Sequence, residues 1–508
     1  MRRGELTVFF AMIFILIVAL LSSLVEVSRR QGVRMQVVTA TDAACESVFA
    51  EYDTKMLEKF KVFFYDGAYG ANDSIDNNIL SKVGSDINIM LNPQDEMMGS
   101  YTDLYKISVN DSELKSVVLA TDDEGMVFRE QAILSVKDRY GISYAEDLLS
   151  KTDILKKNIE DGNSYKEAEE SNNEQIKSFE EQKAKIDEEN KEAAQQAAAN
   201  ENPAAAVEVK KSLGILELVK PDNYTVSQMQ IDTSVMPSKR QLNKGSGMKS
   251  YSEDVLSDVL FNEYLFNTFS CAVMGEAEQE NKQQNTQTDL QSNILNYQLE
   301  YLLSGKENDT DNLKAVAEKL LLIREGANFA YLLTDGIKTA QAETLAVTLV
   351  GYTGLVPLIE ATKYAILASW AFAESCYDVK RLLSGKKVSV IKNSANWQLE
   401  LSNISNLTSQ ELKDDSDGIT YMSYLKLLLL LEPQRNIAKR CIDMVEMLMC
   451  VEEFYEEFKL DAMICEMKLK IKFYSDSVFY MFPFMHKYIW NPTSVYIAER
   501  NYSYNMWR

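Results

Sequence analysis

The twenty residues from Leu6 to Val25, "LTVFFAMIFILIVALLSSLV", carry no charge, and no other stretch restricts the chain so strongly. Their only polar side chains, Thr7, Ser22 and Ser23, can be satisfied within a helix. At about 1.5 Å per residue such a helix is roughly 30 Å long, the thickness of a bilayer's hydrocarbon core. A cleaved secretory signal has a shorter apolar region ending in a small-x-small site, which "LLSSLVEVS" supplies poorly. The reading is a retained anchor over 6–25 behind a cytoplasmic tail, 1–5. Leu6, Val8, Phe9, Phe10, Ile13, Phe14, Leu16, Ile17, Leu20, Leu21 and Leu24 are its membrane-facing residues. Arg2 and Arg3 precede the span while Arg29, Arg30 and Arg34 follow it, so charge alone leaves the topology open.

Beyond the span, Val37, Thr41, Ala44, Val48, Tyr52 and Leu57 continue at helical spacing, and no proline intervenes. The pattern predicts an amphipathic extension of the anchor helix over 26–66. Gly32 keeps open an anchor separate from the first helix, because glycine inside a helix costs about 1 kcal/mol relative to alanine.

The chain has 508 residues, 46% of them hydrophobic, enough for a sizeable core. With 53 basic and 76 acidic residues the net charge is -23, which argues against nucleic acid as a partner and against anionic lipid except near the N-terminus. The six cysteines, Cys45, Cys271, Cys376, Cys441, Cys450 and Cys465, contain no CxxC pair and read as small buried hydrophobes.

An α/β segment is expected over 67–150, with "LYKISV" and "SVVLAT" forming a hairpin around "NDSE" and a helix capped by Asp122 or Asp123 following it. Residues 151–211 are rich in Glu, Lys, Gln, Asn and Ala. Ile176, Phe179 and Ile186 are too sparse for a regular coiled coil, so a charged helical or flexible insert is expected there. A linker over 212–250 leads to a helical core with a second hairpin, "KVSVIKNSANWQLEL", over 251–458. Leu345 to Ala373 is apolar, but Gly351, Gly354, Pro357, Glu360 and Lys363 make it a buried helix rather than a second span. The closing β segment, 459–508, contains "MICEMKLKIKF", whose strict alternation gives one dry and one wet face, and "SVYIAERNYSYNMW" as its partner. The fold class expected is α+β and predominantly helical, with a small antiparallel sheet.

The blocks "GELTVFFAMIFILIVALLSSLVEVSRRQGVR", "SVFAEYD", "TDDEGMVFREQAI", "EYLLSG", "LLLIREGANFAYLL", "LIEATKYAILASWAFAES" and "YMSYLKLLLLL" resemble a family of bacterial membrane proteins, domain of unknown function 5702. The first block is also similar to pseudopilin-like proteins of tight-adherence (Tad) pilus systems. This resemblance implies a large domain outside the cytoplasm and no established activity. Protein partners in a pilus or secretion assembly and self-association through the N-terminal helix are expected, and no cofactor. Gly4 and Glu5 form the candidate processing site, although the fifth residue after Gly4 is Phe9, where a type IV pilin has glutamate.

No reaction is written in the sequence. His486 is the single histidine, which leaves triads and multi-histidine metal sites without their parts. There is no P-loop, dinucleotide fingerprint or HExxH motif. "KDDSDGIT" departs from a calcium loop at Lys413 and Tyr424 and reads as a solvated turn. The aromatic residues Tyr474, Phe479, Tyr480, Phe482, Phe484, Tyr488 and Trp490 read as core. The function expected is a non-enzymatic, single-pass, membrane-anchored structural or assembly protein. A cell-surface ligand-binding module is the alternative. The bilayer and protein partners are expected, and no nucleic acid.

Overall fold

A computed structural model describes residues 3–69, 74–91, 104–137, 139, 142–222, 224–247, 251, 254–273, 294–406, 412–479 and 493–504. The fold is α+β and mostly helical, in two compact units. Unit 1 comprises 1–135, 237–252 and 445–508; unit 2 comprises 136–236 and 253–444.

Unit 1 is organised by α1 (Arg3–Ala50), one uninterrupted helix of 48 residues. From Leu6 to Val25 none of its side chains is buried, whereas Val33, Val37, Ala40, Thr41, Ala44, Cys45, Val48 and Phe49 are. Their three- and four-residue spacing places them on one face. Gly32 does not break the helix. A Cβ there would lie 2.7 Å from the Tyr105 ring, so glycine admits that ring against the backbone. The helix ends sooner than expected. Tyr52 bridges Tyr65, the Asp53 amide donates to Phe64 O at 2.8 Å, and the Asp53 carboxylate caps α2 (Thr54–Phe60). These competing partners stop α1 at Ala50, and Lys61 then takes a left-handed conformation, φ 57°.

The buried face of α1 packs with α3 (Ile75–Leu91) on an antiparallel sheet. Besides β1 (Tyr65–Asp66), the sheet contains β2 (Ile107–Leu119), β3 (Met463–Ser475) and β4 (Ser494–Ser503). β3 is central, with β2 along one edge and β1 and β4 end to end along the other. Met467, Leu469, Ile471 and Phe473 face the core. The wet side carries cross-strand ion pairs, Lys472–Asp111 at 2.7 Å and Lys468–Glu499 at 2.8 Å.

The expected first hairpin is a single strand. β2 runs through "NDSE", absorbing Asn110 and Lys115 as irregularities in its register with β3, so the turn-forming residues become bulges. After β2, α4 (Asp122–Val136) opens with three left-handed residues, Asp123, Glu124 and Gly125. Asp122 is therefore not an N-cap. Its carboxylate accepts from the Leu119 and Gly245 amides, both at 2.8 Å, joining the strand end to a returning segment. That segment, within the expected linker, is a strap on β2: the Gly247 amide donates to Val117 O at 2.9 Å, and Arg240 is bonded to Glu446 and Asp461.

In unit 2, α5 (Ile142–Ser178), α6 (Glu180–Glu189), α7 (Lys191–Ala198) and α8 (Pro203–Lys211) occupy the charged stretch. α9 (Ile215–Val219), α10 (Val255–Thr268), α11 (Gln298–Ser304), α12 (Asp309–Thr334), α13 (Gly336–Val350), α14 (Val356–Leu383) and α15 (Tyr421–Leu431) follow. The unit boundary falls inside α16 (Gln434–Cys450). α5 is part of the core rather than an insert, packing against α12 and α14. It does so with few large apolar residues. Asn158 donates to Val390 O, Tyr165 to Ala368 O and Asn172 to Ala361 O. A Cβ on Gly326 of α12 would meet Asn158 O at 2.2 Å and Gly162 N at 2.6 Å, so the two helices cross backbone to backbone.

The apolar stretch 345–373 is split between α13 and α14 by Gly351–Thr353 and by Gly354, φ 66°. Residues 387–401 form no hairpin; Val388 makes an isolated bridge to Ile419. Polar side chains there are drawn into a buried ion cluster instead.

Candidate membrane anchor and its junction

The first half of α1 has the properties that a bilayer requires. Its backbone groups bond within the helix, and from Leu6 to Val25 the exposed side chains are apolar apart from Thr7. Of the anchor residues read from sequence, Leu6, Val8, Phe9, Phe10, Phe14, Leu16, Ile17, Leu20, Leu21 and Leu24 are 50–69% exposed, and Ile13 is half-exposed. Among the described residues this is the one helix long and apolar enough to cross a membrane. Gly4 lies exposed within the first turn of α1 with nothing within 4 Å of its Cβ position, and the Glu5 side chain lies outside the described residues.

The change from exposed to buried takes one residue. Val25 is 45% exposed and Glu26 is fully buried. Glu26 accepts from Arg29 at 2.9 Å and 3.1 Å, from Arg30 at 3.4 Å, and from the amides of Val478 and Phe479 at 3.3 Å and 3.2 Å. Arg29 spends its remaining donors on Tyr105 O at 2.8 Å, Asp476 O at 2.9 Å and Ser475 Oγ at 3.0 Å. One turn of α1 thereby holds the start of β2 and the end of β3. Burial pushes the Glu26 carboxyl up, but Arg29 and the Phe479 and Val478 amides outweigh it and hold it below its ordinary value. A helix side chain tilts toward its N-terminus, so these contacts are made on the membrane side of Glu26 and Arg29.

In the sequence Arg29 reads as a charge following the apolar stretch and Glu26 is not singled out; their three-residue spacing on a helix is the available clue to the pairing.

The buried ion cluster of unit 2 was missed as well. Arg324 Nε and Nη2 donate to Asp378 Oδ2 at 3.0 Å and 2.9 Å, and Arg381 Nη1 donates to Asp378 Oδ1 at 3.1 Å. Lys392 bonds Glu374 and lies 3.2 Å from Asp378, while Arg381 also bonds Asp415. Three cations therefore meet three carboxylates, each at most 8% exposed. Burial raises the Asp378 carboxyl, but Lys392, Arg324 and Arg381 together bring it down to about 2. The cluster joins α12 and α14 to residues 387–400 and 413–415. It gives the "KDDSDGIT" turn an inward anchor: Asp415 is buried, where a solvated turn was expected.

A separate cavity in unit 2, of about 900 Å³, lies among α5 to α8, α13 and α14, with Ile176, Ala197, Leu349 and Leu358 in its wall. Polar groups reach it through Lys183, Asp187 and Tyr352.

All six cysteines are free thiols, five of them buried and Cys450 half-buried. Tyr474 and Phe479 are half-buried. His486 and the aromatic residues Tyr480, Phe482, Phe484, Tyr488 and Trp490 lie outside the described residues.

Residues 193–475, more than half of the chain, match a family described as a family of unknown function, DUF5702. No curated protein and no solved structure matches the chain.

Proposed function

Starting from a chain that belongs to the DUF5702 family, we propose a single-pass, membrane-anchored structural or assembly protein whose folded units lie outside the cytoplasm. The observation that carries this reading is α1. It is lipid-compatible from Leu6 to Val25 and becomes core at Glu26 without a break, so one continuous helix joins the candidate anchor to the core of unit 1. A cleavable or loosely tethered leader has no use for such a junction. The likeness of the first block to Tad pseudopilins supports a place in a Tad-like pilus or secretion apparatus, with subunits meeting through α1. Deleting Leu6–Val25 is expected to move the protein from the membrane pellet to the soluble fraction. Continued sedimentation with membranes would contradict a single anchor.

A second reading, a surface module that binds a small ligand, is favoured by the cavity of about 900 Å³ in unit 2. Its size suits a small molecule, and its wall combines many polar groups with apolar surface supplied by Ile176, Leu349 and Leu358. Saturable binding lost in a Tyr352→Ala variant that keeps its fold would support that reading.

A further inference from the structure

We propose that the end of unit 1 from which α1 emerges rests in the headgroup layer of the bilayer, as a second membrane contact beside the span. The inference depends on the reading of Leu6–Val25 as membrane-spanning. Arg29 lies four residues beyond Val25, a rise of about 6 Å. The headgroup layer of one leaflet is roughly 5–8 Å deep, the difference between a bilayer of about 40–45 Å and its core of about 30 Å. Arg29 is hydrogen-bonded to Leu104 O, Tyr105 O, Ser475 Oγ and Asp476 O, and Glu26 to the amides of Val478 and Phe479. With the span in the core and α1 upright, these segments come to the level of the lipid surface.

The side chains presented there suit that surface. Leu104 is 54% exposed and Lys106 is an exposed cation, while Arg30 is half-buried beside Glu26 and Asp476 is exposed at the same end. In a chain of net charge -23, Lys106 and Arg30 stand where they meet phosphate. Each Lys or Arg at an anionic surface contributes roughly a fivefold bias toward contact. The occupant is therefore an anionic phospholipid headgroup layer, with Leu104 dipping below the phosphates.

The test is nitroxide depth measurement on the full chain in vesicles of phosphatidylcholine with phosphatidylglycerol. Labels are placed singly by Leu16→Cys, Leu104→Cys and Met35→Cys, and contact with dissolved oxygen is compared with contact with a polar nickel chelate. Met35 is 75% exposed and lies about 15 Å beyond Val25 along α1. The expected result is a deep label at 16, a shallow interfacial label at 104 and an aqueous label at 35. Adding Lys106→Glu is expected to lower lipid contact at 104 about fivefold or more while leaving 16 unchanged. A deep label at 16 with 104 as aqueous as 35 overturns the second contact and leaves the span standing. An aqueous label at 16 overturns the span itself. Indifference of position 104 to Lys106→Glu overturns the electrostatic part.

Discussion

Replacing Arg29 by Met removes the positive half of the junction while keeping the length of the side chain. Glu26 is then a fully buried carboxylate left with Arg30, 34% exposed in its side chain, and two amides. The carbonyls of Tyr105 and Asp476 each lose a charged donor. Breaking a buried ion pair from one side costs about 3–5 kcal/mol. Against a typical domain stability of about 5–15 kcal/mol, the loss is large enough to open the junction locally. Hydrogen exchange at the Val478 and Phe479 amides reads it directly, with protection expected to fall by about a hundredfold to a few thousandfold, since about 1.4 kcal/mol is tenfold. The pH dependence has a defined sign. Glu26 is held below its ordinary value of 4.5 in the native chain, so its contribution is present above that pH and lost as pH falls through the lowered folded value. Without Arg29 the largest lowering cause is lost, so the deficit of the variant shrinks as pH falls and Glu26 is neutralised. Protection within threefold of the parent at neutral pH would refute the clamp.

Gly32→Ala would place a Cβ 2.7 Å from the Tyr105 ring, and the expected cost of about 1–3 kcal/mol exceeds the helix-propensity gain of about 1 kcal/mol. Urea unfolding of Gly32→Ala with and without Tyr105→Leu checks it, because the smaller side chain should restore stability. Gly326→Ala meets backbone atoms of α5, which cannot give way like a side chain, and should destabilise unit 2 more than Gly32→Ala destabilises unit 1. Asp378→Asn leaves three cations facing two carboxylates and should cost about 3–5 kcal/mol at pH 7. The difference should close as pH falls from 3.8 through about 2, where the native Asp378 protonates. Burial raises Glu300 from 4.5 to about 7, despite the Ala272 amide and the Tyr421 hydroxyl. Stability from its neutral form is thus complete below 4.5 and lost as pH rises through 7. Thermal unfolding of Glu300→Gln should therefore show a gain of about 3 kcal/mol at pH 8 and none at pH 4, since each tenfold change in proton affinity is worth about 1.4 kcal/mol.

The elements that could be read from sequence are those whose periodicity is carried by large apolar side chains. The first half of α1 is almost uniformly apolar, β3 alternates strictly, and α12 repeats leucines at helical spacing. Each pattern is local and survives without knowledge of its partner. What escaped reading depends on partners distant in sequence. β2 looked like two strands because "NDSE" has turn-forming residues, and only pairing with β3 turns Asn110 and Lys115 into bulges. α5 looked solvated because it packs through Gly162, Asn158 and Asn172, which hydropathy counts as polar or neutral. Arg324 and Asp378 are 54 residues apart, and Glu26 reaches amides more than 450 residues away. Gly32 was legible as an anomaly but not as a solution, since Tyr105 had to be in place before its absent side chain had a purpose.

The central claim is that α1 crosses the bilayer between Leu6 and Val25 and holds the folded units on the outer side. Proteolysis of intact cells by an added, membrane-impermeant protease, with a cytoplasmic protein as an internal control, tests it most directly. The expected result is digestion of the folded units down to a membrane-embedded fragment containing Leu6–Val25, while the cytoplasmic control stays intact. A chain that survives in intact cells and is cut only after lysis would place those units inside and contradict the claim.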